Sequence, residues 1–210
     1  MDVPGRIDTI AQLEALYRKP SEGAVSKQHA SIDEGMAAFI ERCPFLVLAT
    51  TNGDGSVDAS PRGGPAGFVR CLDDRHIAIP DLNGNNRLDS YRNLIEHPFA
   101  GVLMMVPGKD ETLRINGPAV LTIDPELLAS FTDELRTPKI ALVIETAEIY
   151  GHCAKAFRRA AMWDPESWGQ LDGAPDLAGM YLGSADTGGD ELRASLEAAY
   201  ATGLALDRPG

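Results

Sequence analysis

Arginine recurs where this chain has the means to do chemistry. Arg62 follows Ser60-Pro61, Arg87 follows Asn85-Asn86, and Arg114 stands just ahead of Asn116-Gly117-Pro118. Each places a permanent positive charge beside a hydroxyl, a carboxamide or backbone donors exposed by small residues, which is what a phosphate or the polar edge of a heterocycle requires. Taken singly, an arginine beside a turn is usually a solvated surface group, and the three segments alone do not choose one anion over another. His152 and Cys153 are adjacent, but His29, His76 and His97 are scattered without ligand spacing, so no metal site is expected. No side chain stands out as a general acid, base or nucleophile, and the catalytic residues are unassigned.

The bulk properties bound the ligand. A chain of 210 residues with 44% hydrophobic and 24% charged residues is an ordinary globular composition, and its length suits one domain, 1–210. The formal net charge of -12 repels nucleic acid and anionic membrane surfaces. A small anionic ligand remains open, because it needs only a few local cations. The three cysteines, Cys43, Cys71 and Cys153, are odd in number and form no Cys-x-x-Cys pair, which argues against a disulfide framework or a zinc site and for a reducing compartment. Cys43 and Cys71, in apolar contexts, are expected in the core. The start, Met1-Asp2-Val3-Pro4-Gly5-Arg6, has no basic region followed by an apolar run, and no apolar stretch approaches the ~20 residues that span a bilayer. A cytoplasmic location follows as the expectation, with no membrane or nucleic-acid partner.

The elements that must position the arginines begin with two helices. Ile7, Ile10, Leu13, Leu16 and Tyr17 recur at helical spacing ahead of Pro20, and Ser31-Ile32-Asp33-Glu34 reads as a capping box opening a helix to about Arg42, with Met36, Phe39 and Ile40 toward the core. The pattern then turns to β. Phe45 to Thr51 is an apolar run, Asn52-Gly53-Asp54-Gly55 a hairpin turn, and Ser56 to Arg62 the partner strand. Further strands are expected at Gly67–Leu72, Arg75–Ile79, Ala100–Val106, Thr112–Ile123 and Ile140–Tyr150. The Gly/Asn-rich loop from Asp81 to Arg87 leads into a helix from about Leu88 to Glu96, and another runs from Pro125 to about Leu135. Ala154 to Ala161 and Asp190 to about Thr202 complete the helices. The class is α+β: a mainly antiparallel β-barrel of about six strands, 39–163, with N-terminal helices, 1–38, and a C-terminal loop and helix, 164–210.

The order of these segments carries a resemblance. An apolar strand, an Asn/Gly turn, a strand ending Ser60-Pro61-Arg62, a loop-to-helix unit ending Glu96-His97-Pro98, and Arg114-Ile115-Asn116-Gly117-Pro118-Ala119 on a long strand together resemble the pyridoxamine 5'-phosphate oxidase-like, FMN-binding split-barrel family. The likeness runs from about Phe39 to Trp163. His152-Cys153-Ala154-Lys155-Ala156-Phe157-Arg158-Arg159 followed by Trp163 is similar to one branch of that family, whose members are mostly described as probable FMN-dependent enzymes.

The resemblance implies a fold, a cofactor and a set of residues. Ser60, Pro61 and Arg62 would hold the ribityl and phosphate of FMN, with Arg62 as phosphate anchor; Asn85, Asn86 and Arg87 would add phosphate and ring contacts at a helix N-terminus. Arg114, Asn116 and Gly117 would reach the pyrimidine side from a strand that pairs with the partner subunit, so the protein is expected to be a homodimer with FMN at its interface. Lys155 is either a basic residue near the cofactor or a surface lysine on a helix, and Trp163 either covers the flavin or caps the core. The implied activity is that of an FMN-dependent oxidoreductase passing electrons or hydride between FMN and a reduced nicotinamide, NAD(P)H, or a small-molecule substrate. The alternatives are a flavin carrier or redox sensor without turnover, and a split barrel holding deazaflavin F420 or haem. The chain ends Ala205-Leu206-Asp207-Arg208-Pro209-Gly210, which does not match the substrate-binding segment of authentic pyridoxamine phosphate oxidases, so vitamin B6 oxidation is not the expected reaction.

Overall fold

The computed structural model describes residues 3–25, 27–132, 135–169, 173–182 and 189–209. Its organising unit is the hairpin of β1 (Phe45–Thr51) and β2 (Val57–Gly63), in register from Phe45 opposite Gly63 to Thr51 opposite Val57. Asn52 closes the turn: its Oδ1 accepts from the amides of Asp54 at 3.1 Å and Ser56 at 3.0 Å, the local bonding that suits asparagine to turns. The far edge of β1 pairs with β5 (Phe99–Met105), and β5 pairs with β6 (Thr112–Thr122), all antiparallel.

Alternation along these strands gives the sheet two unlike faces. Leu46, Leu48, Val102, Met104 and Ile115 are buried and form the core with Ile77, Ile144 and Ile149. The opposite parity carries Val47, Ala49, Leu103, Arg114 and Asn116, half-buried, with Phe45, Val57 and Phe99 exposed.

The second edge of β6 is shared. Asn116 pairs with Glu148 on β8 (Glu148–His152), whereas Ala119 pairs with Ile144 on β7 (Ala141–Glu145), so the chain opposite β6 holds one extra residue. This is a β-bulge. Thr146 leaves the ladder there: its amide donates to the Arg75 carbonyl at 2.7 Å and its hydroxyl to the Ala30 carbonyl at 2.9 Å. The backbones come so close that a Cβ on Gly117 would lie 1.7 Å from the Glu145 oxygen. β4 (His76–Pro80) pairs with β7, and β3 (Arg70–Cys71) with β4, giving the order β2-β1-β5-β6-β7-β4-β3 with β8 added on β6. β2 and β3 do not pair with each other, which leaves the barrel split.

Among the described residues the helices are α1 (Ile10–Glu14), α2 (Glu22–Val25), α3 (Glu34–Glu41), α4 (Asp89–Glu96), α5 (Pro125–Ala129), α6 (Lys155–Arg159), α7 (Pro165–Trp168), α8 (Leu177–Leu182) and α9 (Asp190–Leu206). α4 lies against β1, β2 and β6, burying Ser90 and Leu94 one turn apart and tied by Asn93 Nδ2, which donates to the buried hydroxyl of Thr50 at 3.0 Å. Among the described residues no helix is long and apolar enough to cross a membrane.

The α+β class with peripheral helices is the one expected, and several boundaries differ for physical reasons. Eight strands among the described residues stand against the about six expected: the seven runs named from the sequence are all present, the bulge splits the one from Ile140 to Tyr150 in two, and the stretch after Gly67 is shortened to the two-residue β3. The first helix is confined to Ile10–Glu14, capped by Thr9 and Gln12; its apolar stripe is exposed, and a short helix without a packed face does not extend. Asp33, not Ser31, caps α3, accepting from the Met36 amide at 2.8 Å, because the Ile32 amide is drawn to the Asp74 carbonyl and holds the preceding chain extended. Ile40 is buried beneath it, with Met36 and Phe39 partly buried beside the core. The expected helix to Leu135 stops at Ala129, and its residues 133–134 lie outside those described, as do 170–172 and 183–188 of the C-terminal region.

Candidate functional site

The period of two along β2 puts Asp58, Ser60 and Arg62 on one face, opposite Thr50, Leu48 and Leu46, and α4 closes over that face. Arg62 Nη1 donates to Ser60 Oγ at 2.5 Å and to the Pro61 carbonyl at 2.9 Å, while Nη2 donates to Ser90 Oγ at 3.1 Å. Ser90, 3% exposed, donates its own hydroxyl hydrogen bond to Asp58 Oδ2 at 2.5 Å. The guanidinium also lies 5.7 Å from the centre of the Tyr91 ring, a cation–π distance. Tyr91 donates to Asp81 Oδ1 at 3.1 Å. Burial first, and then the Asp81 charge, push its hydroxyl up to about 12, with Arg62 opposing. Arg62 is thus held at three points before any ligand arrives.

The loop between β4 and α4 completes one cleft of about 790 Å³, lined by Ser60, Pro61, Arg62, Asn85, Asn86, Arg87 and Ser90 and, from further along the chain, Arg136 and Lys139. That volume suits a small organic ligand. Asn86 and Leu88 adopt φ of 57° and 62°, a left-handed conformation that is an outlier for leucine and clusters at binding sites. Leu88 is the N-cap of α4 and offers no side-chain acceptor, so the first-turn amides keep their capacity to bind an anion. Arg87 Nε pairs with Asp89 at 2.7 Å, which raises the Arg87 pKa. Both side chains are solvated, and a phosphate can compete for such a pair.

The remaining sequence-nominated residues lie elsewhere. Arg114, Asn116, Gly117 and Lys155 do not line this cleft. Arg114 Nη1 donates to the Tyr150 hydroxyl at 3.0 Å across the outer sheet face, its guanidinium 5.6 Å from the Tyr150 ring centre, and Lys27 Nζ is 5.4 Å from the same ring. Asn116 Nδ2 donates to Glu148 Oε1 at 3.0 Å, and Gln28 to the other oxygen at 2.8 Å. Gly117 is required by the close approach to Glu145, a packing role. Lys155 is an exposed residue opening the short α6; its backbone amide, followed by the Lys155 and Lys27 charges, lowers the pKa of the exposed Cys153 thiol. His152 has a buried Nε2 without a partner among the described residues, and desolvation, then Arg114 and Lys27, lower its pKa. Trp163 donates to the Lys109 carbonyl at 2.8 Å and stacks 5.7 Å from Phe157, fastening α6 to the turn between β5 and β6. Cys43 is fully buried and Cys71 partly so.

Sequence reasoning assigned no role to Ser90, Tyr91, Asp81, Arg136 and Lys139. The first two follow Arg87 on α4, and the helix N-terminus was a usable signal. Arg136 and Lys139 reach the cleft through tertiary folding, for which no local pattern exists.

The family model described as pyridoxamine 5'-phosphate oxidase matches residues 32–153. Among solved structures, HupZ of Group A Streptococcus is similar at 15% identity, covering 57% of this chain and 93% of its own, with a TM-score of 0.46. A putative pyridoxamine 5'-phosphate oxidase from Lactobacillus delbrueckii matches at 16% identity, 58% and 95% coverage and a TM-score of 0.46. A pyridoxamine 5'-phosphate oxidase-related, FMN binding protein from Nostoc punctiforme matches at 15% identity, 65% and 85% coverage and a TM-score of 0.40. No curated protein matches the chain.

Proposed function

The chain belongs to the pyridoxamine 5'-phosphate oxidase family, and on that premise we propose that it is an FMN-dependent oxidoreductase holding the cofactor's phosphate in the cleft between β2 and α4. The observation that carries the reading is the preorganised Arg62, fixed by Ser60 and Ser90 beside the uncapped start of α4. A phosphate there would meet a guanidinium already held in place, the first-turn amides and the side chains of Asn85 and Asn86, with Arg87 joining once the phosphate displaces Asp89 from it. FMN supplies the redox chemistry when bound; the chain supplies binding, orientation and a shaped cavity.

The outer sheet face supports a homodimer. Phe45, Val57 and Phe99 are 38%, 69% and 53% exposed there, beside Arg114 and Asn116. A second copy covering this face would bring Arg114, Asn116 and the basic surround of Lys155 to an intersubunit site, which is how those residues would join the cofactor without lining the cleft of their own chain. Exposed apolar area of this kind marks interaction surfaces. NAD(P)H and a small oxidised molecule are the reaction partners this reading assigns, and a cytoplasmic location goes with it.

Flavin absorption bands in the purified protein, or saturable FMN binding on titration, are the expected result; a colourless protein that takes up no FMN refutes the reading. Mass spectrometry of the extracted cofactor separates FMN from F420 and haem. A second reading, a flavin carrier or redox sensor, is favoured by the engagement of Asp58 and Tyr91 with Ser90 and Asp81, which leaves neither poised as a proton donor to a ligand. Rapid bleaching of bound FMN by NADH or NADPH in stopped flow supports the enzyme; no bleaching supports the carrier.

A further inference from the structure

The cleft is braced by a residue far away in sequence. The long helix α9 ends at Asp207, which is its C-cap. Asp207 Oδ1 accepts from the backbone amide of Asn83 at 2.7 Å and from Arg136 Nε at 3.2 Å, and its carbonyl accepts from the Arg136 amide at 2.9 Å. The carboxylate is 13% exposed and the Arg136 side chain 23%. Both side chains are less exposed than those of the solvated pairs elsewhere on the surface, such as Arg87–Asp89. One turn back on α9, a Cβ on Gly203 would lie 3.1 Å from Asn83 Nδ2, so helix and loop are in contact there as well. At its other end α9 is tied to α8 by Arg193, which donates to Asp176 at 2.5 Å.

Asn83 and Arg136 both line the cleft, on the two segments that Asp207 joins: the loop leading to α4 and the connection between β6 and β7. The loop carries Asn86 and Leu88 in left-handed conformations, which persist only where the surroundings over-determine them. Among the described residues, the side chains of Asn85 and Arg87 bond only within the segment from Asn85 to Asp89, so their placement depends on how the loop is anchored at its two ends, by α4 on one side and at Asn83 on the other.

We propose that Asp207 is a positioning residue for the ligand site: by clasping the Asn83 amide and Arg136 it fixes the loop that presents Asn85, Asn86 and Arg87 to the cofactor phosphate. The inference rests on the cleft being the phosphate site, and it adds a requirement for the C-terminal helix, which has no place in the sequence motifs.

The test compares the full chain with its Asp207→Ala and Asp207→Asn variants, measuring FMN affinity by fluorescence quenching and amide hydrogen exchange at Asn83 and Arg136. Asp207→Ala removes the side-chain acceptor; FMN affinity should fall about tenfold or more, within the usual range of coupling between distinct elements, and the Asn83 amide should exchange faster. Asp207→Asn keeps an oxygen where Oδ1 lies and should stay within about threefold of the parent, a rescue that mere loss of charge would not give. Saturating FMN should in turn slow exchange at Asn83 in the parent chain, because coupling is reciprocal. An Asp207→Ala variant that exchanges faster at Asn83 yet binds FMN like the parent overturns the proposal, as does an Asp207→Asn variant as defective as Asp207→Ala. Should Asp207→Ala fail to fold, the Asp207→Asn affinity and the protection of Asn83 by FMN decide: parent-like affinity with protection supports the clasp, and loss of either refutes it. A parent chain that binds no FMN refutes the functional reading first, a result distinct from any of these.

Discussion

Replacing Arg62 with alanine separates what this side chain does for the fold from what it does for a phosphate. Its guanidinium donates to Ser60, the Pro61 carbonyl and Ser90, but the truncation leaves no buried group without a partner, since Ser90 still donates to Asp58. Net hydrogen-bond contributions of about 1 kcal/mol each, reduced by the open side of the cleft, give a stability loss of about 1–2 kcal/mol. For a chain of this size that is a drop in Tm of roughly 2–8 °C. The effect on ligand binding is larger. Charge-assisted bonds to a phosphate are worth about 1.5–3 kcal/mol each, and a partly exposed fork making one or two of them should lose about 2–4 kcal/mol, or about 30- to 700-fold in Kd. The assay is parallel titration of FMN and riboflavin followed by flavin fluorescence. Riboflavin has the ring and ribityl chain without the phosphate, so its Kd should stay within about twofold. Equal losses for both ligands, or an undiminished affinity for FMN, would remove Arg62 from the phosphate site.

Gly117→Ala should destabilise the fold by about 3 kcal/mol or more, since backbone atoms of both Glu145 and Ala147 oppose a Cβ; a melting curve within about 2 °C of the parent would contradict the close approach. Tyr91 binds its proton more tightly folded, at about 12, than unfolded, near about 10. Its contribution to stability is therefore complete below about pH 10 and is lost as pH rises toward about 12, so urea midpoints across that window should fall less steeply in Tyr91→Phe than in the parent. Phe99→Glu puts a charge on the exposed outer face and should yield a monomer by light scattering, with weakened FMN retention; a dimer that keeps its cofactor would send the interface elsewhere.

Local chemistry made the β1–β2 hairpin legible, because Asn52 bonds within its own turn and an apolar run leads into it. The shared face of Asp58, Ser60 and Arg62 was equally implicit in a period of two. Asn85, Asn86 and Arg87 could be read as one loop because they are contiguous with α4. What the sequence could not convey was which face each nominated residue would take. Arg114 and Asn116 have the residue types of a binding site, yet pairing places them across the sheet from Ser60 and Arg62. The split of the run from Ile140 to Tyr150 was hidden for a related reason: nothing in those residues signals that Gly117, on another strand, lets the Glu145 carbonyl come close enough for Thr146 to step aside. Arg136, Lys139 and Asp207 are joined to the cleft only by tertiary contacts.

The single extra residue beside Gly117 sets the phase of everything downstream on that edge. Because of it, Ile149 falls opposite Ile115 and is sealed in the core, while Tyr150 falls opposite Arg114 on the outer face. Deleting one residue at 146–147 would shift the parity of β8, driving Tyr150 inward and Ile149 out. The segment from Glu148 to His152 would then present an aliphatic surface where it now presents polar and aromatic groups. Homologous chains should consequently tolerate insertions in the loops around this edge far more readily than a change of length at this one point, and sequence alignments that open a gap there would be misassigning which side chains lie on the outer face.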